Sequence, residues 1–201
     1  MERERYAIDA AMSRVTVRPF VSATSQAVGQ APALTLRDFV GEACFAPGTL
    51  EEASVLVTLN AASIGFDDDA RDKDLRLIGH AMQSAVLETR KFPEIVFRSS
   101  NISASKAGGG QYWINLVGDL SLHGATRSEP VAAQVVFAGE TLFARGELTL
   151  NPSLYRIPRV EIPGGALKLK DEVKCVFDIV ARKRHDAAQK SKKRMLAIEG
   201  S

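Results

Sequence analysis

The residues that could do chemistry are few and scattered. His123 closes an apolar run in Leu122-His123-Gly124-Ala125-Thr126. As a general base it would need a hydroxyl or carboxylate partner, and no sequence neighbour supplies one, so a structural histidine is expected. Ser63 and Ser121 lack the G-x-S-x-G setting of an activated nucleophile. No phosphate-cradling or dinucleotide-binding glycine loop is present. Cys44 and Cys175, with His80, His123 and His185, show no close ligand spacing, so neither a metal nor a cofactor is expected. Asp67-Asp68-Asp69 beside Arg71-Asp72 lacks the spaced oxygen ligands and glycine of a calcium loop. It reads as a solvated turn that caps the following helix. An enzyme is therefore not expected.

What the sequence offers instead is pattern. Apolar residues alternate with polar ones in Phe39-x-Gly41-x-Ala43-x-Phe45, Val55-x-Val57-x-Leu59 and Ile95-x-Phe97-x-Ser99. The clearest run is Tyr112-x-Ile114-x-Leu116-x-Gly118-x-Leu120-x-Leu122. Val131 to Phe137, Leu142 to Leu150 and Val173 to Ala181 follow the same rule. A period of two marks strands with one apolar face. Glycines at 108–110 and 139 suit hairpin loops, so neighbouring strands should pair antiparallel. About eight such strands predict an all-β sandwich or barrel. Leu75, Ile78, Met82, Val86 and Leu87 recur instead at helical spacing, predicting one amphipathic helix over residues 72–90, ahead of Pro93.

Small residues share the inward face with large ones: Gly41, Ala43, Ser99, Gly118, Ala133, Ala144 and Gly146. A barrel of eight strands is just wide enough to be filled by its own side chains or to hold one small ligand. These residues either leave room or mark bulges and corners. The candidate ligand-lining positions are Phe39, Ala43, Phe97, Ile114, Leu116, Ala133, Ala144 and Phe177. Parity along its strand puts Trp113 on the outer face, under the helix if the helix reaches that far.

The chain has 201 residues, 45% of them hydrophobic and 25% charged, ordinary values for a folded soluble domain that exclude wholesale disorder. No apolar run is long enough for a membrane-spanning helix. The charged opening Met1-Glu2-Arg3-Glu4-Arg5-Tyr6 lacks the apolar core of a secretion signal, which predicts a cytoplasmic protein with reduced cysteines. Residues 182–201 hold Arg182, Lys183, Arg184, Lys190, Lys192, Lys193 and Arg194 against Asp186 and Glu199, whereas the whole chain nets only +2. The division expected is a domain over 1–181 and a basic tail over 182–201. The tail reads as a solvated solubility tail, with peripheral contact to an anionic membrane surface as the alternative. Without interleaved aromatics it does not suit nucleic acid.

Several motifs fall in a familiar order. Tyr6-Ala7-Ile8-Asp9 with Ser13 resembles a Y-x-I-D-x-x-H-S opening, and Ala62-Ser63-Ile64 with Arg71-Asp72 resembles A-S-I…R-D-x-H-L. Phe92-Pro93-Glu94-Ile95-Val96-Phe97-Arg98-Ser99 is similar to Y-P-x-I-x-F-x-S, and Gly118 to Thr126 is similar to G-x-L-T-I-H-G-V-T. Gly164 to Phe177 resembles a closing hairpin. Together, over residues 6–181, they resemble the YceI-like proteins. That resemblance implies an eight-stranded antiparallel, lipocalin-like barrel that binds a polyisoprenoid or related amphiphile. Met12 and Asp74 stand where the family commonly has His, so the apolar lining is the part that carries over. The expected function is a non-enzymatic carrier of an isoprenoid or fatty-acyl amphiphile. The alternative is a ligand-free scaffold acting as a homodimer.

Overall fold

The structure, a computed structural model, describes residues 3–23, 33–50, 52–66, 76, 79–158 and 167–185. Eleven strands make one sheet: β1 (Glu4–Ile8), β2 (Arg14–Ala23), β3 (Leu34–Leu36), β4 (Phe39–Phe45), β5 (Ser54–Asn60), β6 (Ile64–Phe66), β7 (Glu94–Gly108), β8 (Gln111–Leu122), β9 (Ala125–Ala138), β10 (Thr141–Leu150) and β11 (Leu167–Arg184). The order β1-β4-β5-β7-β8-β9-β10-β11 closes on itself through a β1–β11 pairing. The result is an eight-stranded antiparallel barrel: the alternation left sandwich and barrel open, and the family resemblance implied the barrel. β2, β3 and β6 extend the wall at one end, alongside β11.

Two serine-stitched corners explain why the short strands come in pairs. β1 and β2 share one partner: β1 lies on Ala181–Arg184 and β2 on the earlier part of β11. Between them the chain kinks through a 3₁₀ turn, Ala10–Met12. Ser13 holds the kink, its Oγ donating to Asp9 O at 2.7 Å while Val180 N donates to that Oγ at 2.9 Å. β5 and β6 are parted by a similar turn, Ala61–Ser63, whose first residue is buried. There Ser63 Oγ accepts from the backbone N–H groups of Arg37 and Asp38 and donates to Asn60 O at 2.7 Å. Each hydroxyl satisfies backbone groups that the interrupted ladder leaves behind.

The described part of the predicted helix comprises Arg76, 79–81 and a π-helical turn, Met82–Val86; residues 72–75, 77 and 78 lie outside the described residues. It ends earlier than the expected residue 90, in turns that lead to Pro93. Gln83 Nε2 pins it to the β5–β6 corner, donating to Ala62 O at 3.0 Å and Ile64 O at 2.8 Å. Trp113 is 57% exposed on the outer face: parity placed it correctly, but the helix does not cover it.

The expected hairpins form. Gly108, Gly109 and Gly110 all take positive φ in the β7–β8 turn, and Gly139 does so between β9 and β10, a region that side-chain-bearing residues avoid. β11 continues three residues past the expected domain end, so Arg182, Lys183 and Arg184 belong to the wall. Lys183 Nζ pairs with Glu4 at 2.5 Å and Arg182 Nε with Asp9 at 3.1 Å. Residues 186–201 of the expected tail, the Asp67–Asp69 run and the glycine pair at 164–165 lie outside the described residues. Cys44 and Cys175 are free thiols, both partly buried.

Candidate functional site

The inner face of the barrel is mainly apolar, and its two ends are built differently. At one end four rings meet. Tyr6 stacks on Phe45 at 5.2 Å between centroids, and Phe137 stands edge-on to Tyr6, Phe45 and Tyr112 at 5.5–5.9 Å. Aromatic geometry of this kind adds to simple burial. At the other end Leu34, Phe39, Ile64, Phe66 and the wholly buried Tyr155 form a second cluster with Leu87 below the helix. Phe97, Ile8 and Leu148 touch both clusters.

All eight nominated lining residues lie on strands of the barrel wall, and their burial divides them. Phe39, Ile114, Leu116 and Ala133 are buried. Ala43, Phe97, Ala144 and Phe177 are only half-buried. β7, which carries Phe97, and β11, which carries Phe177, stand opposite each other in the closed strand order.

The small inward residues do not all leave space. A Cβ on Gly146 would sit 2.5 Å from Phe177 Cζ, and one on Gly41 would sit 2.7 Å from Ile8 Cδ1. A Cβ on Gly118 would collide with the Phe97 ring. These glycines exist so that a neighbour's side chain can lie flat on the wall, the arrangement by which aromatic rings cover glycines in curved sheets. Ser99 accepts a hydrogen bond from Val55 N at 2.8 Å beside a register shift in β7. The room read from Gly41, Ser99, Gly118 and Gly146 is therefore already used; Ala43, Ala133 and Ala144 are the small positions that remain.

A polar network that sequence spacing could not show seals the helix end. His123 is 7% exposed, at φ +50° in the β8–β9 turn. Its Nδ1 lies 3.2 Å from Tyr155 O and its Nε2 lies 3.0 Å from Glu88 Oε2. The Phe92 ring packs on the imidazole at 4.5 Å between centroids. Gly124 (φ +73°) is bare because a Cβ there would lie 2.5 Å from Phe92 Cε1. Tyr155 donates its hydroxyl to Glu129 Oε1 at 2.5 Å, and burial first, then that bond, raises its pKa well above the ordinary tyrosine range. His123 does find a carboxylate, but ring, carbonyl and phenyl enclose it, and the arrangement is that of a latch. The motifs around 61–64, 92–99 and 118–126 thus converge on one end of the barrel as its closure.

Two grooves indent the outer face. The larger, about 570 Å³, is bordered by Asn101, Asn115, Val117, Pro130, Glu147 and Thr149 among others; the smaller, about 240 Å³, lies over Val40, Glu42 and Thr58.

Comparison with known proteins places this architecture. A UPF0312 protein of Pseudomonas putida (strain W619) is 30% identical over 106 residues, 53% of this chain and 49% of that protein. One from Shewanella denitrificans is 32% identical over 103 residues, 51% of this chain and 49% of the relative. The chain thus spans about half the length of the curated relatives it matches. Among solved structures, Burkholderia cenocepacia BcnA superposes with a TM-score of 0.66 at 22% identity, covering 86% of this chain and 98% of that one. A polyisoprenoid binding domain from Saccharophagus degradans, implicated in plant cell wall breakdown, gives 0.63 at 13% identity, covering 89% and 98%. These structures share the fold. The YceI-like domain model matches residues 6–181, the barrel short of the first two residues of β1 and the last three of β11, and the chain belongs to the YceI-like family.

Proposed function

We propose that this protein is a non-enzymatic carrier that holds the apolar chain of an isoprenoid or fatty-acyl amphiphile inside the barrel. The observation that carries this reading is the incomplete burial of Ala43, Phe97, Ala144 and Phe177. They sit on strands of a closed wall, and their partial exposure supports reading the bore as having room for a chain. Membership in a family with a polyisoprenoid-binding structural neighbour supports it.

Magnitudes set the ligand length. Burying one methylene is worth about 0.8 kcal/mol, and association costs on the order of 4–15 kcal/mol before any affinity appears. About ten methylenes, roughly 8 kcal/mol, only offset that cost, so the cargo is a long chain. Native mass spectrometry of freshly purified full-length protein, followed by lipid extraction, tests the reading. A discrete adduct that yields a long-chain lipid is the expected result; protein that remains bare after incubation with long-chain isoprenoids and fatty acids would end it.

A ligand-free scaffold that self-associates is the second reading. It is favoured by Trp113, Phe143 and Val40, which are 57%, 44% and 66% exposed on the outer wall. The same mass spectra give the oligomeric mass.

A further inference from the structure

Several ladders of the barrel wall stop short of their strand ends, and the parting between β9 and β10 is the one along which the larger groove lies. The β9–β10 ladder runs from Thr141↔Ala138 to Glu147↔Ala132 and stops, although β9 begins at Ala125 and β10 runs on to Leu150. Both strands stay paired on their far sides, β9 to β8 as far as Leu122↔Ala125 and β10 to β11 as far as Leu150↔Val173. Pro130, with no N–H to offer, sits on the parted stretch. The larger outer groove lies along this parting, and its lining takes in the core residues Leu116, Val131 and Leu148 as well as the exposed Pro130, Ala132, Glu147 and Thr149. A groove bordered by residues of both faces runs into the wall as well as across it.

What bridges the seam is side chain, not ladder. After β10 the chain turns through Pro152–Tyr155. That turn is held to β11 by Asp171, whose Oδ1 accepts from Ser153 N at 3.0 Å. It is held to β9 by the Tyr155–Glu129 hydrogen bond.

We infer that the parted β9–β10 seam is the lateral portal through which the apolar chain passes into the bore, with a neutral polar head left in the outer groove. The inference rests on the carrier reading above. Asn101, Ser103, Asn115 and Thr149 supply amide and hydroxyl groups to the groove, and all are exposed. Among the lining residues, Glu147 is the charged one, and it already engages Lys174 at 2.7 Å. That set suits a hydroxyl or carbonyl head and disfavours a phosphate or carboxylate, which would meet the carboxylate of Glu147 without a lining cation. The Tyr155–Glu129 bond is the latch on the portal.

The test uses the full chain and a farnesol carrying a dansyl group, with uptake and release timed by energy transfer from Trp113, the one tryptophan, two residues along β8 from Asn115. In a Cys44→Ser, Cys175→Ala background, Pro130→Cys with Thr149→Cys ties the seam by a disulfide. The expected result is that both rates slow by about tenfold and recover on reduction, as for a gated site. Tyr155→Phe releases the latch and speeds both by about threefold. Unlabelled farnesol should displace the probe at about tenfold lower concentration than farnesyl diphosphate, and Glu147→Gln should narrow that gap. Rates that are the same tied and untied, with affinity kept, overturn the portal and leave the carrier reading standing. Equal displacement by the diphosphate overturns the neutral-head assignment. A native protein that takes up no probe overturns both the carrier reading and the portal.

Discussion

Glu88 and His123 face each other across 3.0 Å while both hold left-handed backbone, at φ +44° and +50°. Two side-chain-bearing residues in that region are each strained by about 1 kcal/mol or more, and the contact between them is what the strain secures. Both neighbours of the imidazole, a carbonyl and a carboxylate, are acceptors.

Removing the latch should loosen the barrel end without unmaking the barrel. His123→Leu is expected to cost about 2 kcal/mol, because the contacts of the imidazole with Tyr155 O and Glu88 are lost together. Urea unfolding read by far-UV circular dichroism would show a lower midpoint at unchanged slope. A midpoint within error of the parent would mean that the network holds nothing.

The ring-over-glycine contacts are directly testable as coupled pairs. Gly118→Ala pushes into the Phe97 ring and should destabilise by about 1–3 kcal/mol. Phe97→Leu frees the ring's share of that space while the Arg98 backbone oxygen, 2.7 Å from the new Cβ, stays in place, so the double variant should recover about 1 kcal/mol of the penalty. Strictly additive denaturation energies would show that the ring and the glycine are unrelated.

Alkaline pH should unfold the protein through two groups, the partly buried Cys175 thiol and the buried Tyr155 hydroxyl. Burial raises the Cys175 thiol from 9.0 to about 12 and lifts Tyr155 above its ordinary 10.0. The folded state thus holds these protons more tightly than the unfolded chain does. Their contribution is complete below pH 9 and is lost as pH climbs from 9.0 toward 12. Thermal melts across that window should show a falling midpoint. Cys175→Ala and Tyr155→Phe should each flatten the descent, and a slope that neither variant changes would count against this assignment.

Filling the bore should separate binding from folding. Ala133→Phe and Ala144→Trp place bulk at the small inward positions that neighbouring rings have not already taken. The expectation is loss of the co-purifying lipid with a melting temperature within about 5 °C of the parent, since overpacking of about 1–3 kcal/mol is survivable. Both variants carrying undiminished lipid would move the site elsewhere.

The barrel was legible because alternation is a local property: Ile114 and Leu116 turn inward, and Trp113 outward, from parity alone. The latch was not, because Glu88 and Tyr155 lie 35 and 32 residues from His123 and only the closed wall brings them together. The small residues misled for a related reason. A glycine on a strand does not declare whether the space above it is empty or holds the ring of the next strand, and at Gly118 and Gly146 it holds Phe97 and Phe177. Nor does alternation mark a parted seam, since β9 and β10 keep their period of two on either side of it.

β11 is the partner of β10, β2 and β1 at once. During synthesis Glu4–Ile8 leaves the ribosome long before Ala181–Arg184, so β1 must wait, with one edge bare, until β11 has emerged. Closure of the barrel is then slow, governed by a pairing of great sequence separation. The interval before closure is when a nascent chain of this kind most needs a chaperone.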